Sequence, residues 1–554
     1  EKQLPPKSMF YSKLNDMDIS QKDYERAKTV YKKFNCQSFM DFHKLYLKAD
    51  VLILADIWAN FKIVCQTNYK LDPTYYYSAP GLAWDAFLKL TKIEFSLLSD
   101  YEMYLFVESS IRGGLSQISK RFAKANNEHM GKAYDKSQPD KFISYFDANN
   151  LYGDSMSQFL PYKDFKWNEE GWTTEKIQSI HDEASTGYLF EVDLHIPVEL
   201  HDYFDNYAPL PVNKAPKRAD LSPNQQEGYK ETSIKKLCCS LEDRTKYVVN
   251  YRILKYVLSL GFKLTKVHRV LQYSQKPYMK EYIMLNTKLR TQATSDFEKD
   301  FFKLMNNSCF GKTMENVRHR IEFELVSNPQ RLDRLKINRI KKVTIFDEQL
   351  VGVHSAKFST TLNKPIYVGS SVLDDSKLLM LRFHYGFMKE KFSDSKLLFT
   401  DTDSLCYEIN QDPYKVMKAN SSEFDLSNFT GDMYDGTNKK VIGKMKDESP
   451  LAAITEFVGL RAKVYSYTTA DGYCAKKNKG TKRMVVKKAI SHQHYLDCLQ
   501  TGKDKFVKQN TFRNWNHTIY TIEQTKKALN RADDKVFICE DGIHTHTHGY
   551  KGDK

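Results

Sequence analysis

Two short apolar runs, Leu397-Leu398-Phe399 and Leu405-Cys406-Tyr407, bracket the polar stretch Thr400-Asp401-Thr402-Asp403-Ser404. The pattern predicts a β-hairpin with two acidic residues on its turn. Hairpin turns ordinarily take Asn-Gly or Asp-Gly, and carboxylates this close repel and raise each other's pKa. A bound divalent cation would remove the conflict. Asp, Thr and Ser also hydrogen-bond their own backbone in ordinary turns, so other segments must decide between turn chemistry and a metal site.

Two further patterns bear on that choice. Phe142-Ile143-Ser144-Tyr145-Phe146 is apolar and aromatic and runs into Asp147-Ala148-Asn149-Asn150, which predicts a buried strand with an acid at its exit. Between Asp296 and Asn316 there is no proline, and Lys299, Lys303, Asn307 and Gly311 recur at four-residue steps, along one helical face. Two lysines and an amide in line suit a triphosphate with its base above, since Lys is a compact point charge and a common phosphate ligand. Gly311 permits close approach at the end of that line. A solvated basic face is the competing explanation, weakened by the uncharged Asn306-Asn307-Ser308 beside Phe310.

Composition narrows the classes. A chain of 554 residues should divide into several subdomains. Lys+Arg 84 against Asp+Glu 69 leaves a net charge of +15, a field that favours polyanions, nucleic acid first and anionic membrane second. No run approaches the roughly 18 uncharged apolar residues of a membrane span; even Val51-Leu52-Ile53-Leu54 lies between Asp50 and Asp56. A soluble, intracellular protein is expected. The nine cysteines form no CxxC pair, which argues against a zinc finger or disulfide framework and fits a reducing interior. The chain opens without an initiator Met or a secretory segment, which reads as a truncated start.

The segment Asp147-Ala148-Asn149-Asn150-Leu151-Tyr152-Gly153 resembles motif A of the family B DNA polymerases. Lys303-Leu304-Met305-Asn306-Asn307-Ser308-Cys309-Phe310-Gly311 resembles motif B, and Phe399-Thr400-Asp401-Thr402-Asp403-Ser404 motif C, in the family's order. Phe310 stands where the family has Tyr, and Asn150 and Gly153 where it has Ser and Pro. Lys463-Val464-Tyr465 resembles the KxY motif, and Ile111-Arg112-Gly113-Gly114 the YxGG motif with Ile for Tyr. The long stretch between Tyr152 and Lys303 leaves room for an insertion, similar to the protein-primed subgroup of bacteriophages, adenoviruses, linear plasmids and Polinton/Maverick elements. Segments 242–247, 297–300 and 438–444 resemble the Polinton or adintovirus type.

The resemblance implies an α/β (α+β) right-hand polymerase fold with palm, fingers and thumb, plus the C-terminal remnant of a 3′-5′ exonuclease domain. The expected divisions are 1–75 exonuclease remnant, 76–138 connecting region, 139–200 palm, 201–262 insertion resembling terminal-protein region 1, 263–325 fingers, 326–450 palm and 451–554 thumb. Segment 318–362 reads either as a second insertion that encircles template or as a plain loop.

The implied activity is DNA-directed DNA synthesis, adding deoxynucleotides to a primer 3′-hydroxyl. Asp147, Asp401 and Asp403 are the implied catalytic acids, with Asp147 and Asp403 binding two Mg²⁺, or Mn²⁺ in their place, and Asp401 an outer participant. Lys299, Lys303, Asn307, Leu151 and Tyr152 are the implied nucleotide-binding residues, helped by Arg290 or Lys288, with Tyr152 excluding ribonucleotides. Lys463 and Tyr465, alternating on one face of a predicted strand, would contact primer together with Thr402, Ser404, Gly113, Gly114 and Gly311. The basic run from Lys476 to Arg483 reads as a thumb grip or a solvated loop. Tyr46 and Asp50 fit the YxxxD exonuclease motif, but no DxE precedes them, so proofreading is not expected of this chain.

Expected partners are template-primer DNA, deoxynucleoside triphosphates and a terminal priming protein, with no membrane and a monomeric state; the nucleus suits a genome-integrated element. Two other readings compete: an inactive mobile-element remnant that binds nucleic acid, and a reverse transcriptase, which would carry adjacent aspartates where Thr402 intervenes. His544, His546 and His548 alternate near the end, as a metal site or, more in keeping with chain termini, a disordered tail.

Overall fold

The computed structural model describes residues 3–335, 339–515 and 517–552. Helix α1 (Phe39–Tyr69) starts where the Ser38 side chain accepts from Asp41 N and the Asp41 carboxylate accepts from Ser38 N, a capping box that satisfies two otherwise orphaned donors. Strand β1 (Phe142–Ala148) leads through Asn149 and Asn150 into the short helix α2 (Leu151–Met156). Helices α3 (Lys280–Gln292), α4 (Asp296–Thr313) and α5 (Ile366–Leu381) follow. The acidic hairpin comprises β2 (Lys396–Asp401) and β3 (Ser404–Ile409), and beyond it lie β4 (Met445–Asp447), β5 (Ile454–Arg461), β6 (Val464–Thr469) and β7 (Cys474–Asn478).

The central sheet has six strands in the order Ser116–Ile118, β2, β3, β1, β4 and Phe424–Asp425. Every residue of β3 is buried and nearly all of β1, which is why both read as continuous apolar runs: each face of the sheet is covered. Phe146, Leu405 and Tyr407 point into one core with Phe383 and Phe424. Ile143, Tyr145, Phe399 and Cys406 point into another with Phe457 and Tyr465. That second layer is the four-stranded sheet of β7, β6, β5 and Phe122–Lys124.

A second four-stranded sheet pairs Leu160–Trp167, Lys263–Lys276, Thr186–His195 and Arg244–Asn250, so three of its strands lie on either side of the 201–262 segment and the fourth lies within it. Helices α3 and α4 share a core with Tyr69, Phe87 and Phe106. Within 318–362, of which 336–338 lie outside the described residues, Glu322–Val326, Leu350–Ser355 and Ile340–Asp347 form a three-stranded sheet. This segment is folded and is not a plain loop. The long ribbon Lys505–Trp515 and Thr518–Leu529 reaches it at its tip, where His517 Nε2 donates to Ile345 O at 2.8 Å and the ring packs on Phe346.

The histidine-bearing end is bound, which corrects the expectation of a disordered tail. His544 pairs with Lys120 and His548 with Ser240 as β-bridges. His546 stacks on Tyr550 at 4.2 Å and its Nδ1 lies 2.7 Å from Asp205 Oδ2. The three rings therefore do not gather at one point: His544 Nδ1 meets Asp541, His546 meets Asp205, and His548 is buried with neither ring nitrogen hydrogen-bonded to a described residue. No described helix is long and apolar enough to cross a membrane.

Candidate active site

The hairpin turn is Thr402-Asp403. Thr402 has φ +67, an unfavourable conformation for a β-branched residue, and three backbone bonds hold the turn. Thr402 N donates to Leu115 O at 2.7 Å, Asp403 N to Asp401 O at 2.8 Å, and Ala148 N to Asp403 O at 2.7 Å. Ser404 stands in register with Asp147 across the β3–β1 pair. Two acids far apart in sequence thus meet at one end of the sheet. Gly114 fits beneath the turn, since a Cβ there would lie 2.6 Å from both Thr402 Cγ2 and Oγ1. Gly113 faces open space. Their neighbour Arg112 is buried, donates to Val248 O at 2.8 Å and stacks on Tyr247 at 3.6 Å, which anchors this segment below the hairpin.

Burial, reinforced by the Asp403 and Glu448 carboxylates, pushes the Asp147 pKa up to about 8 against the opposing pull of Lys303 and Lys446. Asp403 is also raised, by burial first and by Asp401, while its own backbone N–H, Lys303 and Lys463 oppose the shift. Asp401 differs: its Oδ1 accepts a hydrogen bond from Lys463 Nζ. Lys303 and Lys446 thus bear on Asp147, and Lys446 is its register partner on β4.

Lys463 does not lie on a strand. It occupies the turn between β5 and β6 with φ +63, which aims it at Asp401. Tyr465 lies on β6 and is buried, stacked on Phe399 at 4.3 Å with its hydroxyl 3.4 Å from that of Tyr145. The predicted shared strand face is therefore replaced by a cation at the turn and a phenol beneath the hairpin. The basic run is only partly a solvated loop: Lys477 on β7 pairs with Tyr465, Arg483 opens a helix to Ala489, and residues 479–482 make the turn between them. Lys477 and Lys479 line, with the three acids and Lys463, a cavity of about 320 Å³. Glu448, Lys446, Lys477 and Lys479 were not singled out in sequence as parts of this site; only strand pairing places them there.

Helix α4 closely follows the predicted helical segment. Lys303 is exposed and Lys299 pairs with exposed Asp296 at 3.1 Å. The side-chain oxygens of Asn306 and Asn307 are buried without a protein partner, a rare condition for native polar groups. Tyr152 packs against Phe310 with ring centroids 4.5 Å apart and the rings tilted by 34°, joining α2 to α4. Leu151 is in the core and Gly311 leaves open space beside the helix. Tyr46 and Asp50 are both exposed on α1, away from any such enclosure. Among the described residues, three donor atoms come within 4.8 Å of one another at Glu128, His129 and Asp412, beside Phe142 at the other end of β1. The hairpin acids are spread more widely, Asp401 being held by Lys463.

Residues 7–364 match the family described as DNA polymerase type B, organellar and viral. The chain belongs to this family of DNA polymerases. The matched stretch of this type B polymerase includes Asp147 and α4, while the β2–β3 hairpin lies beyond it. Among solved structures it is similar to Phi29 DNA polymerase complexed with primer-template DNA and incoming nucleotide substrates, at 15% identity and a TM-score of 0.52, over 84% of this chain and 70% of that one. An orthorhombic crystal form of Phi29 DNA polymerase matches over the same shares at 14% identity and a TM-score of 0.52. The type B polymerase thus has the mixed helix-and-sheet, right-hand fold expected for it. No curated protein matches its sequence.

Proposed function

We propose that this type B polymerase extends a primer 3′-hydroxyl on a DNA template at the β2–β3 hairpin, with Asp147 and Asp403 holding two Mg²⁺ and Asp401 an outer participant. The observation that carries the reading is the forced meeting of two partly buried carboxylates, Asp147 and Asp403, across from Lys303. Hard oxygen donors and unrelieved like charge fit Mg²⁺, with Mn²⁺ as a substitute. When bound, two such ions stabilise the attacking and leaving oxygens of the displacement.

The residues of the chain do the rest. Lys303 and Lys299 offset triphosphate charge electrostatically, as phosphoryl transfer requires. The packed Tyr152–Phe310 pair forms an aromatic floor under the sugar, where Tyr152 excludes a 2′-hydroxyl. The orphaned oxygens of Asn306 and Asn307 mark the polar wall nearest the base. Lys463 neutralises Asp401, and Lys477 and Lys479 extend that positive edge along the path of the primer backbone, which Thr402, Ser404, Tyr465, Gly113, Gly114 and Gly311 border or support.

The contact of His517 with the three-stranded sheet supports reading 318–362 as a second insertion that, with the ribbon of a thumb at 451–554, surrounds DNA. On the same reading 139–200 and 326–450 are palm, 263–325 fingers, 201–262 a first insertion and 76–138 the connection. These insertions favour protein-primed replication of a Polinton or adintovirus-like element in a host nucleus, with a terminal protein as partner. The exposed apolar residues Leu47, Val51, Leu52 and Leu54 on α1 suit a helix that packs under a further layer, in keeping with 1–75 as the end of an exonuclease domain. Primer extension with Mg²⁺ on DNA and RNA templates tests the reading. Incorporation is expected on DNA and lost in Asp403→Ala; equal incorporation by both proteins, or preference for RNA, would overturn it.

A further inference from the structure

Residues 436–444 form a loop tied to the strand that carries Asp147. The buried Asp425 carboxylate accepts from Asn149 Nδ2 at 2.7 Å, Lys440 N at 2.9 Å and Ser427 N at 3.1 Å. Asn149 also donates its backbone N–H to Lys444 O at 2.9 Å and accepts from Gly443 N at 2.8 Å. Lys440 sits at φ +59, a left-handed conformation that costs a non-glycine residue free energy, and the bond to Asp425 holds it there. Two residues on, Ile442 packs against the core that contains α3 and α4. The loop therefore bridges the acid-bearing strand and the lysine-bearing helix.

Its cations converge with those of the helices. Although Lys440 is exposed, partial desolvation and then the like charges of Arg290, Lys439, Lys299 and Lys446 push its pKa down. Among the described residues, Arg290, Lys439 and Lys440 form no ion pair with a carboxylate, Lys446 faces only Asp147 across β4, and Lys299 has only exposed Asp296. Cations gathered from α3, α4, the loop and β4 repel one another, and a compact polyanion relieves that repulsion better than isolated backbone phosphates can.

We propose that Lys440, supported by Lys439, is the palm-side half of a polyphosphate site, holding the β- and γ-phosphates of the incoming nucleotide and the departing pyrophosphate together with Lys299 and Arg290. The assignment rests on the polymerase reading and deepens it. Because the loop is bonded to Asn149, Lys440 keeps a set position relative to Asp147. Lys299 and Arg290 have no such tie.

Lys440→Ala should raise KM for deoxynucleotide roughly tenfold, the scale of one charge-assisted contact, with primer-template Kd unchanged and Lys440→Arg restoring most of the loss. Titration calorimetry with inorganic tripolyphosphate, without DNA, should show the same weakening. Unchanged KM and tripolyphosphate affinity would overturn the proposal, as would weaker primer-template binding with both of those intact. A wild-type protein that extends no primer yet binds tripolyphosphate through Lys440 would remove the polymerase reading and leave the phosphate site standing.

Discussion

Asp403 and Asp50 are each marked in the sequence by an acidic residue at a telling spacing, yet the fold gives them opposite surroundings. Asp403 sits in a strained turn, bonded to β1, beside a second partly buried acid and within the field of Lys303 and Lys463. Asp50 projects from α1 among exposed residues, one turn from an equally exposed Tyr46. The difference lies in what other segments bring. Three distant stretches converge on Asp403, and in this chain none encloses Asp50.

The largest effect should come from the acids themselves. Asp403→Ala is expected to lower the single-turnover extension rate by roughly 10³-fold, in the range found when a charge-stabilising group is removed from an active site, while Asp50→Ala stays within about twofold, the scale of surface changes. Similar losses in both would break the comparison. Lys463→Ala should cost about 10- to 100-fold in the same assay, since a charged hydrogen bond is lost and Asp401 is left unpaired; full activity would show that Asp401 needs no partner.

Gly114→Ala and Gly113→Ala sharpen the comparison through packing. The first forces a Cβ into Thr402 and should destabilise by about 1–3 kcal/mol in urea unfolding; the second meets open space and should stay within about 0.5 kcal/mol. The Asp147 proton gives a pH signature. Its pKa is about 8 in the fold against an ordinary 3.8, so between those values the folded chain retains a proton that the unfolded chain loses. That contribution to stability is present at low pH and declines as pH rises toward about 8, while Mg²⁺ affinity rises over the same window because the ion displaces the proton. Melting curves in chelator should show the decline, and Asp147→Asn should flatten it; an unchanged slope would count against a protonated Asp147. The smallest effect is expected at Leu52→Ser on α1, which is 66% exposed and should shift stability by no more than about 0.5 kcal/mol.

The elements that carry the candidate site are legible because their motifs are local. The β2–β3 hairpin, the strand ending near Asp147 and the helix carrying Lys299, Lys303 and Asn307 each follow from a short apolar pattern and its punctuation. Alternation with Tyr465 suggests that Lys463 lies on a strand face, but a two-residue turn intervenes and carries Lys463 to Asp401 instead. The histidine tail was misread because its partners, Asp205, Ser240 and Lys120, are hundreds of residues away.

By itself, then, the chain's sequence determined the hairpin and strand that carry the candidate acids, the helix that carries the candidate lysines, the positive field and the family, because these depend on residue type and near-neighbour spacing. Tertiary structure alone decided that Ser404 pairs with Asp147, that Lys463 takes Asp401, that Gly114 lies under Thr402 and that Lys440 is tied to Asn149. Each of these joins segments whose separation carries no periodic signal. Only strand register and burial bring them within bonding distance.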